Sequence, residues 1–209
     1  MEIKSFSLGP LGTNCYILKK GNAALIFDPG SSPQEIIQYI EQENLQPKAI
    51  LLTHAHFDHI GGVDKLRTHY RLPVYLHNEE KDWLEDANLN RSIIYGGEVG
   101  AIRTKAPEVI LQAGKQTVDD FQFEVVHMPG HSPGSVGFMF EEEHFIISGD
   151  VLFHHGVGRT DLPGGDFSQL MNSIQNDLFC LPDSFNVYPG HGVPTTIGEE
   201  RKNNPYIVL

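Results

Sequence analysis

The run Thr53-His54-Ala55-His56-Phe57-Asp58-His59-Ile60-Gly61-Gly62 constrains this chain more than any other stretch. Three imidazoles and one carboxylate fall within six residues, 54 to 59. Ahead of them runs the apolar segment Ala49-Ile50-Leu51-Leu52, which reads as a short buried strand. Behind them Gly61-Gly62 opens a segment able to form a helix. A buried strand that delivers His, His, Asp and His to its tip must satisfy each of those polar groups. A metal site at the strand end does so for all of them together, whereas satisfied core histidines would each need a separate buried partner.

Further segments share the design of an apolar strand ending in a ligand-type residue. Val125-Val126-His127-Met128-Pro129-Gly130 leads to His131, Phe145-Ile146-Ile147-Ser148-Gly149 to Asp150, and Phe185-Asn186-Val187-Tyr188-Pro189-Gly190 to His191. Asp28 ends the apolar run 23–27 and reads as a group behind the ligands. A glycine before each of the three ligands suits tight turns around a crowded centre. Histidine and carboxylate without thiolate suit zinc first, with iron or manganese as alternatives. Seven donors exceed one tetrahedral ion but serve two, if one carboxylate bridges. The spacing assigns His54, His56 and His131 to one ion and Asp58, His59 and His191 to the other, with Asp150 shared. Two ions roughly 3.5–4 Å apart hold a bridging hydroxide that is nucleophilic near neutral pH, so no serine or cysteine nucleophile is needed.

The surrounding chain reads as one domain over residues 1–209. Strands are expected at 3–8, 15–18 and 23–27. Ser32-Pro33 opens a helix to about 43, and a strand follows at 49–52, a helix over 62–70 and a strand at 73–76. That alternation predicts a parallel section covered by helices. Residues 78–86 read as helical, and 87–107, with Gly96-Gly97, as a long loop or broken helix. Strands then crowd at 108–111, 117–118, 121–127, 135–140, 144–148 and 185–188, with helices over 167–178 and 197–201. Two sheets face to face with helices outside follow from this pattern. The net charge of -12 and the lack of a basic stripe exclude a general nucleic-acid binder. No apolar run approaches the roughly 20 residues that span a bilayer, and the N-terminus has no secretory pattern, so no membrane association and a cytoplasmic location are expected. Cys15 and Cys180 are expected to be packed thiols.

The Thr-His-Ala-His-Phe-Asp-His-Ile-Gly-Gly motif, with His131, Asp150 and His191 in order, resembles the metallo-beta-lactamase-fold hydrolases over essentially the whole chain. The resemblance implies an α/β fold, a four-layer αβ/βα sandwich of two mixed sheets with helices outside, and the same seven metal ligands. Asp150 stands where the best-known class of true beta-lactamases has a cysteine, which argues against that activity. Within the family, Pro129-Gly130-His131-Ser132-Pro133-Gly134, Ser148-Gly149-Asp150-Val151-Leu152-Phe153 and Gly156-Val157-Gly158-Arg159 look like glyoxalase II, the hydroxyacylglutathione hydrolases. That implies hydrolysis of S-2-hydroxyacyl thioesters such as S-lactoylglutathione, with a small acyl-thiol substrate as the partner. Asp58 would orient the hydroxide, and Arg159 would contact a substrate carboxylate unless a salt bridge to Asp161 or Asp166 holds it. Larger glyoxalase II enzymes carry a C-terminal glutathione-binding helical domain, expected to be missing here, and a tyrosine where this chain has Val193. The Gly-Arg-Thr-Asp run at 158–161 also resembles the mononuclear iron persulfide dioxygenases, which stand as the alternative. Lactonase, phosphodiesterase and a non-catalytic metal-binding scaffold rank below.

Overall fold

Apolar runs and turn residues divide the chain into short strands and helices, and contacts gather these into two compact units. One comprises Met1–Leu111 and Thr117–Phe121, the other Gln112–Gln116 and Gln122–Leu209. The computed structural model describes residues 1–31, 33–95, 97 and 100–207. Ser32, expected to open a helix, and Gly96 of the glycine pair lie outside the described residues.

The first unit carries β1 (Glu2–Leu8), β2 (Thr13–Lys20), β3 (Ala23–Phe27), α1 (Pro33–Gln42), β4 (Gln46–Leu51), α2 (Phe57–Ile60), α3 (Val63–Tyr70), β5 (Val74–His77), α4 (Ser92–Tyr95) and β6 (Val109–Leu111). Its sheet runs in the order β1 to β6. β1, β2 and β3 pair antiparallel, and β3 through β6 pair parallel, as the strand-helix alternation requires. The edge strand β1 has half-exposed positions, whereas every residue of β3 is buried. β4 begins before the expected position and includes Pro47. The proline cannot donate to the ladder, and the β3–β4 register shifts between Ala24 and Leu25 beside it. On α1, Ile36 and Ile40 recur at helical spacing and are buried with Ile26, Ile50, Val63 and Leu66.

The expected helix over 78–86 is not formed. A single 3₁₀ turn covers Asn78–Glu80, and Lys81, Trp83 and Asp86 donate three residues back, to Asn78, Glu80 and Trp83. Glu80 is fully buried, and its carboxylate accepts the Ala55 amide at 2.5 Å, which draws the segment inward and breaks helical phase. The excursion over 87–107 carries the one-turn helix α4 and is well tied down. The buried Asn90 donates to the carbonyls of Trp83 and Ile102, each at 3.0 Å, and its own carbonyl accepts the Phe57 amide at 2.9 Å. Arg67 donates to the carbonyls of Lys105 and Ala106.

The second unit contains most of a sheet of order β14-β13-β10-β9-β8-β7, built from β7 (Gly114–Val118), β8 (Phe121–His127), β9 (Val136–Phe140), β10 (Phe145–Gly149), β13 (Asn186–Pro189) and β14 (Thr195–Thr196). β10 and β13 are parallel, and β8, β9 and β10 pair antiparallel. The two-residue strands β11 (Leu152–Phe153) and β12 (Gly156–Val157) form a small hairpin. α5 (Phe167–Ser173) is capped by Asp166 and continues as a π turn over Ile174–Leu178. α6 (Ile197–Asn203) is capped by Thr196, whose hydroxyl accepts the Glu199 amide in a Thr-x-x-Glu pattern. Cys15 is buried as expected, but Cys180 is exposed, because it lies in the turn after α5 and donates only to the Asp177 carbonyl. No helix among the described residues is long and apolar enough to cross a membrane.

Replacing Asn90 with leucine keeps the volume but removes the amide donor that ties the carbonyls of Trp83 and Ile102 together. Each lost bond costs about 0.5–1.5 kcal/mol, so the melting temperature should fall by roughly 3–10 °C in a thermal unfolding scan. An unchanged melting curve would show that these bonds do not anchor the excursion.

Candidate metal centre

In the first unit, parallel neighbours β3 and β4 set the ligand-type residues at their C-terminal ends. Leaving β3, Asp28 adopts a left-handed backbone, φ 47°. Its carboxylate accepts three hydrogen bonds. These come from the Thr53 amide at 2.8 Å, the Thr53 hydroxyl at 2.6 Å and His59 Nδ1 at 3.0 Å. Because the Thr53 hydrogen goes to Asp28, the hydroxyl oxygen is left to accept from His54 Nδ1 at 3.1 Å. This network assigns the Nδ1–H tautomer to both rings and makes Nε2 the lone-pair nitrogen of each, as metal ligation requires. Thr13, at the start of β2, donates to Oδ2 of Asp58 at 2.8 Å, and that same oxygen lies 3.6 Å from His59 Nε2. His54 and His59 are fully buried and His56 nearly so, with Trp83 beside the His56 ring.

Backbone contact tightens the loop. A Cβ at Gly30 would collide with the carbonyl of Asp58, so only glycine lets the Asp28-Pro29-Gly30 turn pass there. The Gly62 amide donates to the Pro29 carbonyl at 2.7 Å. Cys15, close to Asp28, is no nucleophile, since burial pushes its thiol well up and the Asp28 charge adds to the effect.

In the second unit, the parallel pair β10 and β13 brings Asp150 and His191 together, with the Gly190 amide donating to the Gly149 carbonyl at 2.8 Å. Asp150 Oδ2 lies 3.6 Å from His131 Nε2 and 3.5 Å from His191 Nε2. Two donors on one tetrahedral ion, with bonds of about 2.0–2.2 Å, stand roughly 3.3 Å apart. His131 Nδ1 donates to the Arg159 carbonyl at 2.8 Å, which again leaves Nε2 as the ligating atom. Gly130 and Gly149 have the positive φ expected of the turns before their ligands, 134° and 51°, but Gly190 is not among the positive-φ glycines.

Thus the first unit gathers His54, His56, Asp58 and His59, and the second gathers His131, Asp150 and His191. The donor chemistry, burial and tautomers in each fit divalent metal. The Arg159 side chain is forked onto Asp161 by two bonds of 2.7 Å, the salt bridge weighed from the sequence. Thr13 and Glu80 were not singled out by sequence reasoning, and nothing local marks them, because each acts through one atom on a residue far along the chain.

Asp28→Asn removes an acceptor from the Thr53–His59 network and disturbs the tautomer of His59. Loss of such a supporting carboxylate is expected to weaken metal retention about 10- to 100-fold, read as metal content after dialysis against graded chelator. Retention equal to that of the parent would remove Asp28 from this role.

The chain is similar to known proteins over nearly all its length. A family model described as Metallo-beta-lactamase superfamily matches residues 8–191. A probable metallo-hydrolase, YqgX, of Bacillus subtilis is 45% identical over 99% of this chain and 98% of its own. The hydroxyacylglutathione hydrolase GloC of Haemophilus influenzae is 36% identical over 99% and 98%. Among solved structures, BLEG-1, described as a B3 metallo-beta-lactamase, superposes with a TM-score of 0.95 at 47% identity, covering 98% of this chain and 99% of that one. TTHA1623, in a di-iron-bound form, gives 0.88 at 39% identity, covering 98% and 100%. With two mixed sheets, flanking helices and His/Asp clusters at strand ends, the chain has the α/β metallo-beta-lactamase fold and belongs to the metallo-beta-lactamase superfamily.

Proposed function

We propose that the chain is a dinuclear-metal hydrolase of S-2-hydroxyacyl thioesters, S-lactoylglutathione or a similar small-thiol ester. The observation that carries the reading is the place of Asp150, one oxygen of which stands at 3.6 and 3.5 Å from the Nε2 atoms of His131 and His191. A carboxylate so placed beside two imidazoles would suit sharing between two ions. The reading assigns His54, His56 and His131 to one ion, Asp58, His59 and His191 to the other, and Asp150 to both. Zinc is the first expectation from the donors, and the di-iron form of the relative at 39% identity makes iron the strongest alternative. Metal held by these residues would supply an activated hydroxide and polarise the scissile carbonyl.

The chain's own residues do the rest. Thr13 fixes one oxygen of Asp58, so the carboxylate is held in a single orientation from which it would orient the attacking water. The Asp28 network and the Arg159 carbonyl hold the rings of His54, His59 and His131, so no reorganisation is needed during reaction. Beside Asp58 a cleft of about 300 Å³, open mouth included, is lined by Leu8, Pro10, Leu11, Phe57 and Ile102. Its apolar walls suit a small acyl group. The thioester itself is supported by the likeness to GloC.

A second reading comes from BLEG-1, whose description as a beta-lactamase runs against the inference drawn from the absent cysteine. An amide of a strained ring is another electrophile for the same hydroxide.

Thiol release from S-lactoylglutathione should be measured with zinc, iron and manganese forms, beside ring opening of a cephalosporin and oxygen uptake with glutathione persulfide. Turnover of the thioester above the other two is expected. Absence of turnover with every metal and thiol carrier sinks the proposal, and oxygen uptake with one iron per chain replaces it with the dioxygenase. Asp58→Asn should lower kcat at least about a hundredfold. Arg159 is proposed to meet a substrate carboxylate, exchanging Asp161 for it. Its guanidinium holds the Asp161 carboxyl down at about 2, so the pair is intact above the usual carboxylate range and is lost only as pH falls toward that value. Arg159→Ala should therefore raise KM about tenfold with little change in kcat, and Asp161→Asn should lower KM. A KM unmoved by both substitutions would leave Arg159 without a substrate role.

A further inference from the structure

The metal centre does not use the histidine pair that follows Phe153. His154 and His155 sit at the tip of the β11–β12 hairpin, and Glu199 of α6 reaches them. His155 Nε2 is 2.8 Å from Glu199 Oε1, and the two imidazoles stack with centroids 4.0 Å and planes 23° apart. One donor atom from each of the three residues lies within 4.8 Å of the others. We propose that His154, His155 and Glu199 form a separate peripheral site for a borderline divalent ion, of the zinc, nickel or copper(II) class.

Donor type comes first. Two imidazoles and one carboxylate make a set that such ions prefer over calcium or magnesium. Both histidines are exposed, so their rings can turn to bring the donors to the roughly 3.3 Å spacing of a tetrahedral ion. Solvent supplies the remaining position. The backbone beneath them, by contrast, is already set. His155 is left-handed, φ 55°, and its amide donates to Glu200 Oε2 at 2.9 Å. Glu200 is fully buried and is itself held by the Thr195 hydroxyl and by Asn204 Nδ2. The hairpin tip is therefore presented to α6 at a fixed place. An exposed ion pair accounts for His155 and Glu199 but not for His154. A second imidazole stacked on the first is disfavoured if both carry charge, and is useful if both are neutral ligands.

An ion here has consequences along the hairpin. Phe153, next to His154, meets the His191 ring edge to face at 6.1 Å. Asn204 Nδ2 donates to the Gly156 carbonyl at 3.0 Å, and Gly158 packs against the Asp150 carbonyl. Tying the tip to α6 stiffens the stretch that runs from Asp150 to the Arg159 carbonyl.

The test compares the metal-loaded parent protein with His154→Gln/His155→Gln, titrating each with zinc in a calorimeter. The parent should take up one more zinc per chain than the double variant at micromolar free ion, and Glu199→Gln should weaken that event at least about tenfold. Because both proteins carry the same metal centre, the difference reads the peripheral site alone. Hydrogen exchange over residues 152–157 should slow with zinc in the parent only, a readout that needs no activity. If the double variant does not fold, His154→Gln alone, which leaves the His155–Glu199 pair intact, replaces it. Equal zinc uptake in parent and variant, or exchange that zinc does not slow, overturns the proposal.

Discussion

The carboxylate of Asp28 is the fixed point from which the histidine loop is hung. It accepts the Thr53 amide, the Thr53 hydroxyl and His59 Nδ1, and through that hydroxyl it also sets the His54 ring. Holding a non-glycine residue at φ 47° costs about 1–3 kcal/mol. Three hydrogen bonds to one buried carboxylate offset that cost. The same turn passes so close to Asp58 that Gly30 admits no side chain. Ring orientation, tautomer and loop path thus share one origin, the end of β3. A change at Asp28 would reach ligands that are 26 and 31 residues further along the chain.

This explains what could be read in the sequence and what could not. An apolar run that stops at a histidine or aspartate is a local pattern, so His54 to His59, His131, Asp150 and His191 stood out, and so did Asp28 at the end of its own strand. The parallel section was legible because helices alternate with strands from Ala23 to Leu76. Thr13 and Glu80 were hidden because each contributes one bond to a partner 45 or 25 residues away, and threonine or glutamate alone carries no pattern. The segment 78–86 looked helical by composition, but burial of Glu80 overrode that propensity. β11, β12 and β14 are two residues long, too short for alternation to register. Cys180 was expected inside because free cysteines usually are, and a turn position placed it outside.

The two units orient their ligand rings with different atoms. In the first, ring orientation depends on a side chain, so Asp28 and Thr53 can hardly vary without loss of the ligand geometry. In the second, His131 is oriented by the backbone carbonyl of Arg159, and any residue supplies that carbonyl. Gly158, just before it, is confined by the carbonyl of Asp150 and by the His131 ring. The backbone path at 158–159 is therefore tied to the ligands while the side chain at 159 is released from that duty. A position whose backbone is tied to the ligands, and whose side chain takes no part in orienting them, would be open to adaptation to a substrate without touching the chemistry. The guanidinium of Arg159 stands on that position, held on an exposed partner, Asp161, that water competes for. Under the proposed function, a substrate carboxylate would compete with Asp161 for that fork.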